Sequence, residues 1–166
     1  MSSEQALKST TGAGAVLIIQ NQVLLVQMNY GPFKGHWILP GGMVESGEHP
    51  HDTAIREFKE ETGLEVNIKN LIGVRYRLNQ TNDANTYWIF NCELMNNKET
   101  KDIELTWDPI EIIESKFWPI NKTLQDPFVR EMTKIYIKKA LETKTPIKQY
   151  SLSKDHPQND SLWLCE

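Results

Sequence analysis

The chain has 166 residues, 39% of them hydrophobic and 24% charged, with a formal net charge of −4. That length provides for one domain with one substantial core, and the composition is that of an ordinary globular fold, neither disordered nor fibrous. The acidic balance excludes a general binder of nucleic-acid backbone, which needs a basic surplus, and two isolated cysteines, Cys92 and Cys165, exclude a disulfide framework.

In chain order, Met1-Ser-Ser-Glu-Gln5 lacks the basic start and apolar stretch of a secretory signal. Ala15–Ile19 and Val23–Val26 are apolar, largely β-branched runs around Gln20-Asn21-Gln22, the pattern of a buried hairpin. The longest apolar run, Ala13–Ile19, is too short to span a bilayer, so a soluble cytoplasmic protein with no membrane partner is expected. Residues 29–49 hold five of the nine glycines and two prolines, the composition of a long functional loop with Trp37-Ile38-Leu39 as a brief strand inside it. Pro50 suits the first turn of a helix, Ala54, Ile55 and Phe58 recur at helical spacing, and Thr62-Gly63 ends it.

Strands follow over Leu64–Ile68, Leu71–Leu78, Thr86–Leu94 and Glu111–Trp118. Asp126-Pro127 is an N-cap and first-turn pair for a second helix to about Glu142, with Phe128, Met132, Ile135 and Tyr136 on one face. This order predicts a layered fold of helices and a mixed sheet, α+β or α/β/α. Residues 1–143 are read as a single domain and 144–166 as a polar C-terminal tail, apolar only at Leu162-Trp163-Leu164.

The acid surplus is concentrated. Between Gly42 and Leu64 stand six acids (Glu45, Glu48, Asp52, Glu57, Glu60, Glu61) against two bases (Arg56, Lys59), and the rest of the chain is balanced. On a helix, Glu57, Glu60 and Glu61 are i, i+3 and i+4 neighbours within about 100° of one another, in a different sector from Ala54, Ile55 and Phe58. Like charges at that spacing cost roughly a few tenths of a kcal/mol, and two of the three lie in the last turn, where the helix dipole prefers cations. A bound cation relieves both. The all-oxygen donor set suits Mg²⁺, Mn²⁺ or Ca²⁺ rather than zinc. Taken alone, the helix fits a solvated acidic face better than a metal site.

Gly42-x5-Glu48-x7-Arg56-Glu57-Phe58-x-Glu60-Glu61-x-Gly63-Leu64 resembles, position for position, the signature of the Nudix hydrolases (MutT-type pyrophosphohydrolases), G-x5-E-x7-R-E-U-x-E-E-x-G-U. Seven fixed positions at average usage match by chance on the order of 10⁻⁹ per start site. The lead-in Gly35-His-Trp-Ile-Leu-Pro-Gly-Gly42 is similar to the family's as well, while Phe58 is bulkier than its usual aliphatic. The resemblance implies the Nudix α/β/α sandwich with a mixed β-sheet. It also implies a divalent-metal-dependent hydrolase (Mg²⁺ or Mn²⁺) that cleaves the pyrophosphate linkage of a nucleoside diphosphate joined to another group. Carried over, Glu57, Glu60 and Glu61 are catalytic residues and metal ligands, a carbonyl of Gly41 or Gly42 completes the shell, and Glu48 and Arg56 form a structural ion pair. A further downstream acid is implied; Glu111 is the first choice, ahead of Glu104 and Glu114.

Around the box, His36, His49 and His51 are read as ordinary loop histidines. Arg75 and Arg77 share a strand face and are candidates for a phosphate clamp. Tyr76, Trp37, Phe33, Tyr87 and Trp88 are candidates for stacking a base. Members of the Nudix family that cleave ADP-ribose often carry a proline shortly after the box; none lies between Leu64 and Trp107, so the resemblance mildly disfavours ADP-ribose and makes a nucleoside triphosphate, modified or not, the first choice. A small-molecule nucleotide is thus the expected partner, with a homodimer left open. The alternative reading is a nucleotide-sensing Nudix-fold binding module without turnover.

Overall fold

β1 (Ser9–Ile19) is apolar without alternation because both of its faces are covered. Ala13, Ala15 and Leu17 point into one hydrophobic cluster and Val16 into another. The computed structural model describes residues 8–78, 80, 83–96, 99–142, 146–150 and 162–165. β1 turns into β2 (Gln22–Met28) through Gln20 and Asn21, whose φ angles of 48° and 59° fit the twist of a two-residue hairpin. It also runs parallel to β6 (Ala84–Leu94), which pairs antiparallel with β5 (Val66–Leu78). β2 pairs with β3 (Trp37–Ile38) and β7 (Ile112–Pro119), and β4 (Gly41–Met43) lies antiparallel on the first half of β1. With β8 (Ile147–Tyr150) and β9 (Leu162–Cys165) at its far edge, the sheet is therefore mixed, in strand order β3-β2-β1-β6-β5-β8-β9, with β4 and β7 beside that path.

The first cluster is closed by α1 (Pro50–Thr62), whose Ala54 and Phe58 pack on Ala13, Ala15, Leu24, Val66 and Phe90. The two alanines of β1 leave the space that the large Phe58 fills. The second cluster is closed by α3 (Glu131–Glu142), whose Ile137 packs with Val16, Val23, Leu25 and Ile89. Helix, sheet and helix form three layers, as the α/β/α reading expects. Among the described residues no helix is long and apolar enough to cross a membrane.

The structure differs from the sequence expectations at four places. β5 is one strand rather than two, with irregular register between Ile68 and Asn70 and between Leu71 and Gly73; the polar Asn70 and side-chain-free Gly73 mark those bulges. β4 carried no pattern because two of its three residues are glycine. Asp126-Pro127 caps a turn, the Asp126 carboxylate accepting the Phe128 N–H at 2.7 Å, while helix occurs before it as α2 (Ile120–Gln125) and after it as α3. The inner face of α3 is accordingly Thr133, Tyr136, Ile137 and Ala140, and Phe128, Met132 and Ile135 are exposed. Finally, the segment expected as a polar tail contains two strands. β8 (Ile147–Tyr150) joins β5 at Leu71↔Ile147, and β9 (Leu162–Cys165) pairs with β8.

Phe58 is fully buried between the sheet and α1. Phe58→Ala should lower the unfolding free energy by about 3–5 kcal/mol, a large share of a typical domain's stability. Urea unfolding checks this; a loss under about 1 kcal/mol would show that the first cluster does not anchor α1.

Candidate functional site

α1 is preset for the charges it carries. Pro50 occupies its first position, the His49 N–H donates to the Asp52 carboxylate at 3.4 Å, and Gly63 ends it with φ +75° and an N–H donated to Lys59 O at 2.8 Å. Before it, the Gly-rich loop returns to the helix through β4, so that the Gly41–Met43 backbone runs beside the helix face of Glu57 and Glu61. A Cβ at Gly42 would displace the Glu57 carboxylate, and at Gly41, with φ +155°, a Cβ would run into the backbone of Ala13 and Gly14, so glycine at 41 is what admits this approach. The Gly42 carbonyl oxygen is turned toward Gly12 of β1.

Arg56 organises the acids. Its Nε and Nη2 donate to Glu48 at 2.7 and 3.0 Å, its Nη1 to Glu57 at 2.8 Å and Glu60 at 3.2 Å, and its Nη2 also to Met43 O at 3.1 Å. Glu48 further accepts the Thr53 hydroxyl at 2.7 Å and the Glu45 N–H at 3.1 Å. The Arg56 guanidinium, together with these two donors, holds the Glu48 carboxyl down at about 2. Glu48 and Arg56 thus pin the loop to the helix, with Met43 included.

The three acids that share a helix face differ in depth. Glu60 is exposed, Glu57 is largely covered, and Glu61 is only 5% exposed. Glu61 accepts the Gly41 N–H at 2.9 Å, yet burial and then the charges of Glu57, Glu111 and Glu60 push its carboxyl up to about 8. Burial likewise raises Glu57 against the opposing pull of Arg56. Glu111, just before β7, acts on Glu57, Glu61 and Tyr30, whereas Glu114 is turned to Lys116 at 3.1 Å. Of the three downstream acids, Glu111 is the one whose charge reaches both Glu57 and Glu61.

This donor set fits a hard divalent cation: all oxygen, mutually repelling, and set against a backbone that leaves no Cβ in the way. Among the described residues no three His, Cys, Asp or Glu side chains already stand as a metal-binding group, since Arg56 holds Glu57 and Glu60. His49 and His51 stack on each other with ring centroids 5.4 Å apart; His51, a loop residue by sequence, lies in the first turn of α1, with His49 as its N-cap.

A cavity of about 880 Å³ lies between β5, β6, α3 and the loop after β2. Arg75, Tyr76 and Arg77 all line it, together with Phe33, Met43 and Tyr87. Tyr87 joins cavity and acids: its hydroxyl lies against Gly14 and Gly41, and burial, then the charges of Glu61 and Glu57, push its pKa up. Trp37, a base-stacking candidate by sequence, is instead core. It is 4% exposed, 5.2 Å from the Trp118 ring and capped by Lys116 Nζ at 4.4 Å, so neither face is free for a base. Sequence reasoning missed Arg130 and Tyr136 of the cavity wall, because nothing local marks residues that α3 and the turn before it bring in from across the fold.

A NUDIX domain model matches residues 8–138. Over 54 residues the chain is 50% identical to an ADP-ribose pyrophosphatase of Methanocaldococcus jannaschii, a match covering 32% of each chain. Over 125 residues it is 33% identical to Nudix hydrolase 2 of Arabidopsis thaliana, covering 72% of this chain and 42% of that one. The chain thus spans less than half the length of these curated relatives. The MutT NUDIX hydrolase from Burkholderia pseudomallei superposes with a TM-score of 0.66 at 20% identity, over 80% of this chain and 98% of that chain, a likeness of fold.

In chelator, the folded chain keeps a proton on Glu61 up to about pH 8, while an unfolded glutamate loses it near 4.5. The folded state then binds more protons between those values, so this group lowers stability as pH rises through that window. Urea unfolding at pH 5 and pH 8 should show wild type losing stability relative to Glu61→Gln. Parallel behaviour of the two proteins would contradict the strained carboxyl.

Proposed function

The chain belongs to the NUDIX family, and on that premise we propose that it is a divalent-metal-dependent hydrolase of the pyrophosphate linkage in a nucleoside diphosphate joined to another group. The observation that carries this reading is the convergence of Glu57, Glu60, Glu61 and Glu111, each raising the charge cost of its neighbours, on the helix face beside Gly41 and Gly42. A bound Mg²⁺ or Mn²⁺ supplies neutralisation of the pyrophosphate oxygens and acidification of a water.

The chain's own residues do the rest. Glu57, Glu60 and Glu61 hold the cation, with Glu111 as a further acid from the strand side. The Gly41 N–H fixes one Glu61 oxygen, which leaves the other to take a proton from the attacking water or to ligate. Glu48 and Arg56 act as positioning residues: their bonds set the Gly-rich loop at the height of the carboxylates. Arg56 also neutralises part of Glu57 and Glu60 until a cation competes for them. The cavity past Tyr87 takes the non-reacting end of the nucleotide, where Arg75, Tyr76 and Arg77 stand.

The test is a panel of nucleoside triphosphates, ADP-ribose and nucleoside diphosphate sugars with Mg²⁺ or Mn²⁺. At least one should be hydrolysed, chelator should abolish turnover, and Glu60→Gln or Glu61→Gln should lower kcat by about 10²-fold or more while the protein stays folded. Unchanged turnover in both variants would overturn the assignment. Nucleotide binding with no turnover anywhere on the panel would favour a sensing module instead.

A further inference from the structure

The loop after β2 borders both the cavity and the acids. Its base is closed by Met28 N–H donating to His36 O at 3.0 Å, Gly35 N–H to Met28 O at 2.8 Å and Gln27 Nε2 to Gly35 O at 2.9 Å. On one side of its tip, Phe33 lines the cavity, with the Arg130 guanidinium 3.8 Å from its ring centre. The other side is tied to the turn that carries Glu111. There Asn29 N–H donates to Glu111 O at 2.9 Å and Asn29 Nδ2 to Pro109 O at 2.9 Å. The next residue, Tyr30, therefore stands beside Glu111, with the charges of Glu61 and Glu57 also reaching its phenol.

Tyr30 is 54% exposed and belongs to neither hydrophobic cluster, so packing does not account for an aromatic side chain here. What it adds is a donor. The donors nearest the acids are already engaged: Arg56 by Glu48, Glu57, Glu60 and Met43 O, and the Gly41 N–H by Glu61. A phosphate drawn to this helix face by a cation still meets repelling carboxylates, and each hydrogen bond to its oxygens offsets part of that cost. A lysine or arginine at position 30 would pair with the carboxylates, as Arg56 does, and compete with the cation. A phenol donates one hydrogen bond and carries no charge. It also keeps its proton at neutral pH, because burial, then Glu61, Glu111 and Glu57, push it up from its ordinary value.

We propose that Tyr30 is a substrate-binding residue whose hydroxyl donates to a phosphate oxygen of the pyrophosphate linkage, with the loop after β2 leading from that phosphate to the cavity. This rests on the proposed hydrolase reading and adds to it a contact from outside α1.

Methylenediphosphonate, a diphosphate analogue whose bridge resists hydrolysis, probes the contact by calorimetry in Mg²⁺ without turnover. Wild type should bind it, and Tyr30→Phe and Tyr30→Ala should weaken binding equally, each by about tenfold. Mn²⁺ affinity without diphosphonate and the melting temperature should stay at wild-type values in both variants, which a role in shaping the loop or the acid cluster would not allow. Wild-type binding by Tyr30→Phe, with loss in Tyr30→Ala alone, would show a ring contact in place of the hydroxyl and overturn the inference. Failure of wild type to bind, or a matching loss of Mn²⁺ affinity in the variants, would overturn it too. Hydrolysis of the nucleotide panel, with Tyr30→Phe binding the diphosphonate as wild type does, removes the inference and leaves the hydrolase reading standing. Binding that depends on the Tyr30 hydroxyl, with no hydrolysis anywhere on the panel, supports the inference and removes the hydrolase reading.

Discussion

Mutual repulsion among carboxylates governs this molecule around α1. Glu48, Glu57 and Glu60 all depend on one guanidinium, that of Arg56, and Glu61 has a single backbone N–H in its place. The arrangement forces its surroundings. The loop must come close enough for Gly41 to donate to Glu61, which requires glycine at 41 against the β1 backbone, and Arg56 must reach Met43 O to keep the loop there. The β4 strand on β1 is the structural consequence, since it anchors the far side of that loop to the sheet.

The core supports this arrangement without sharing its chemistry. Phe58 and Ala54 fix the rotation of α1 on the sheet, and that rotation sets how deep each acid lies. Glu61, three positions after Phe58, comes to lie beside the buried sector, while Glu60 points out. One helix turn therefore offers carboxylates in three different dielectric settings. Such separation is what lets neighbouring acids take different protonation states and different tasks.

Much of this was legible in the residues. The spacing of Glu57, Glu60 and Glu61 gives their common face, Pro50 and Gly63 bound the helix as expected, and β2, β6 and β7 follow their apolar runs within a few residues, while β1 begins six residues ahead of Ala15, at Ser9. Depth was not legible, because helical periodicity gives an angle and no distance from the core. The inner face of α3 differs from the expected one for a related reason: Asp126-Pro127 has the local chemistry of a helix start, but the Phe128 N–H satisfies the Asp126 side chain in a turn, and the helix begins at Glu131 with a different set of residues inward. Trp37 sits in a loop, where aromatics often serve ligands, but Trp118 and Lys116, about eighty positions away in sequence, enclose it. The cavity wall was half visible, at Arg75, Tyr76 and Arg77, and half supplied by α3.

On the proposed function the molecule divides its charge, with the acids of α1 set for a cation and the arginines of the cavity beyond Tyr87 set for the distal part of the nucleotide. The net charge of −4, all of it within Gly42–Leu64, is on this view the complement of a bound divalent ion. Titration of Mn²⁺, followed by the resonance of the free ion, tests that directly. Wild type should bind the ion at this helix, and Glu61→Gln, which keeps the shape and removes the charge, should weaken binding by about tenfold or more. Equal binding by the two proteins would contradict it.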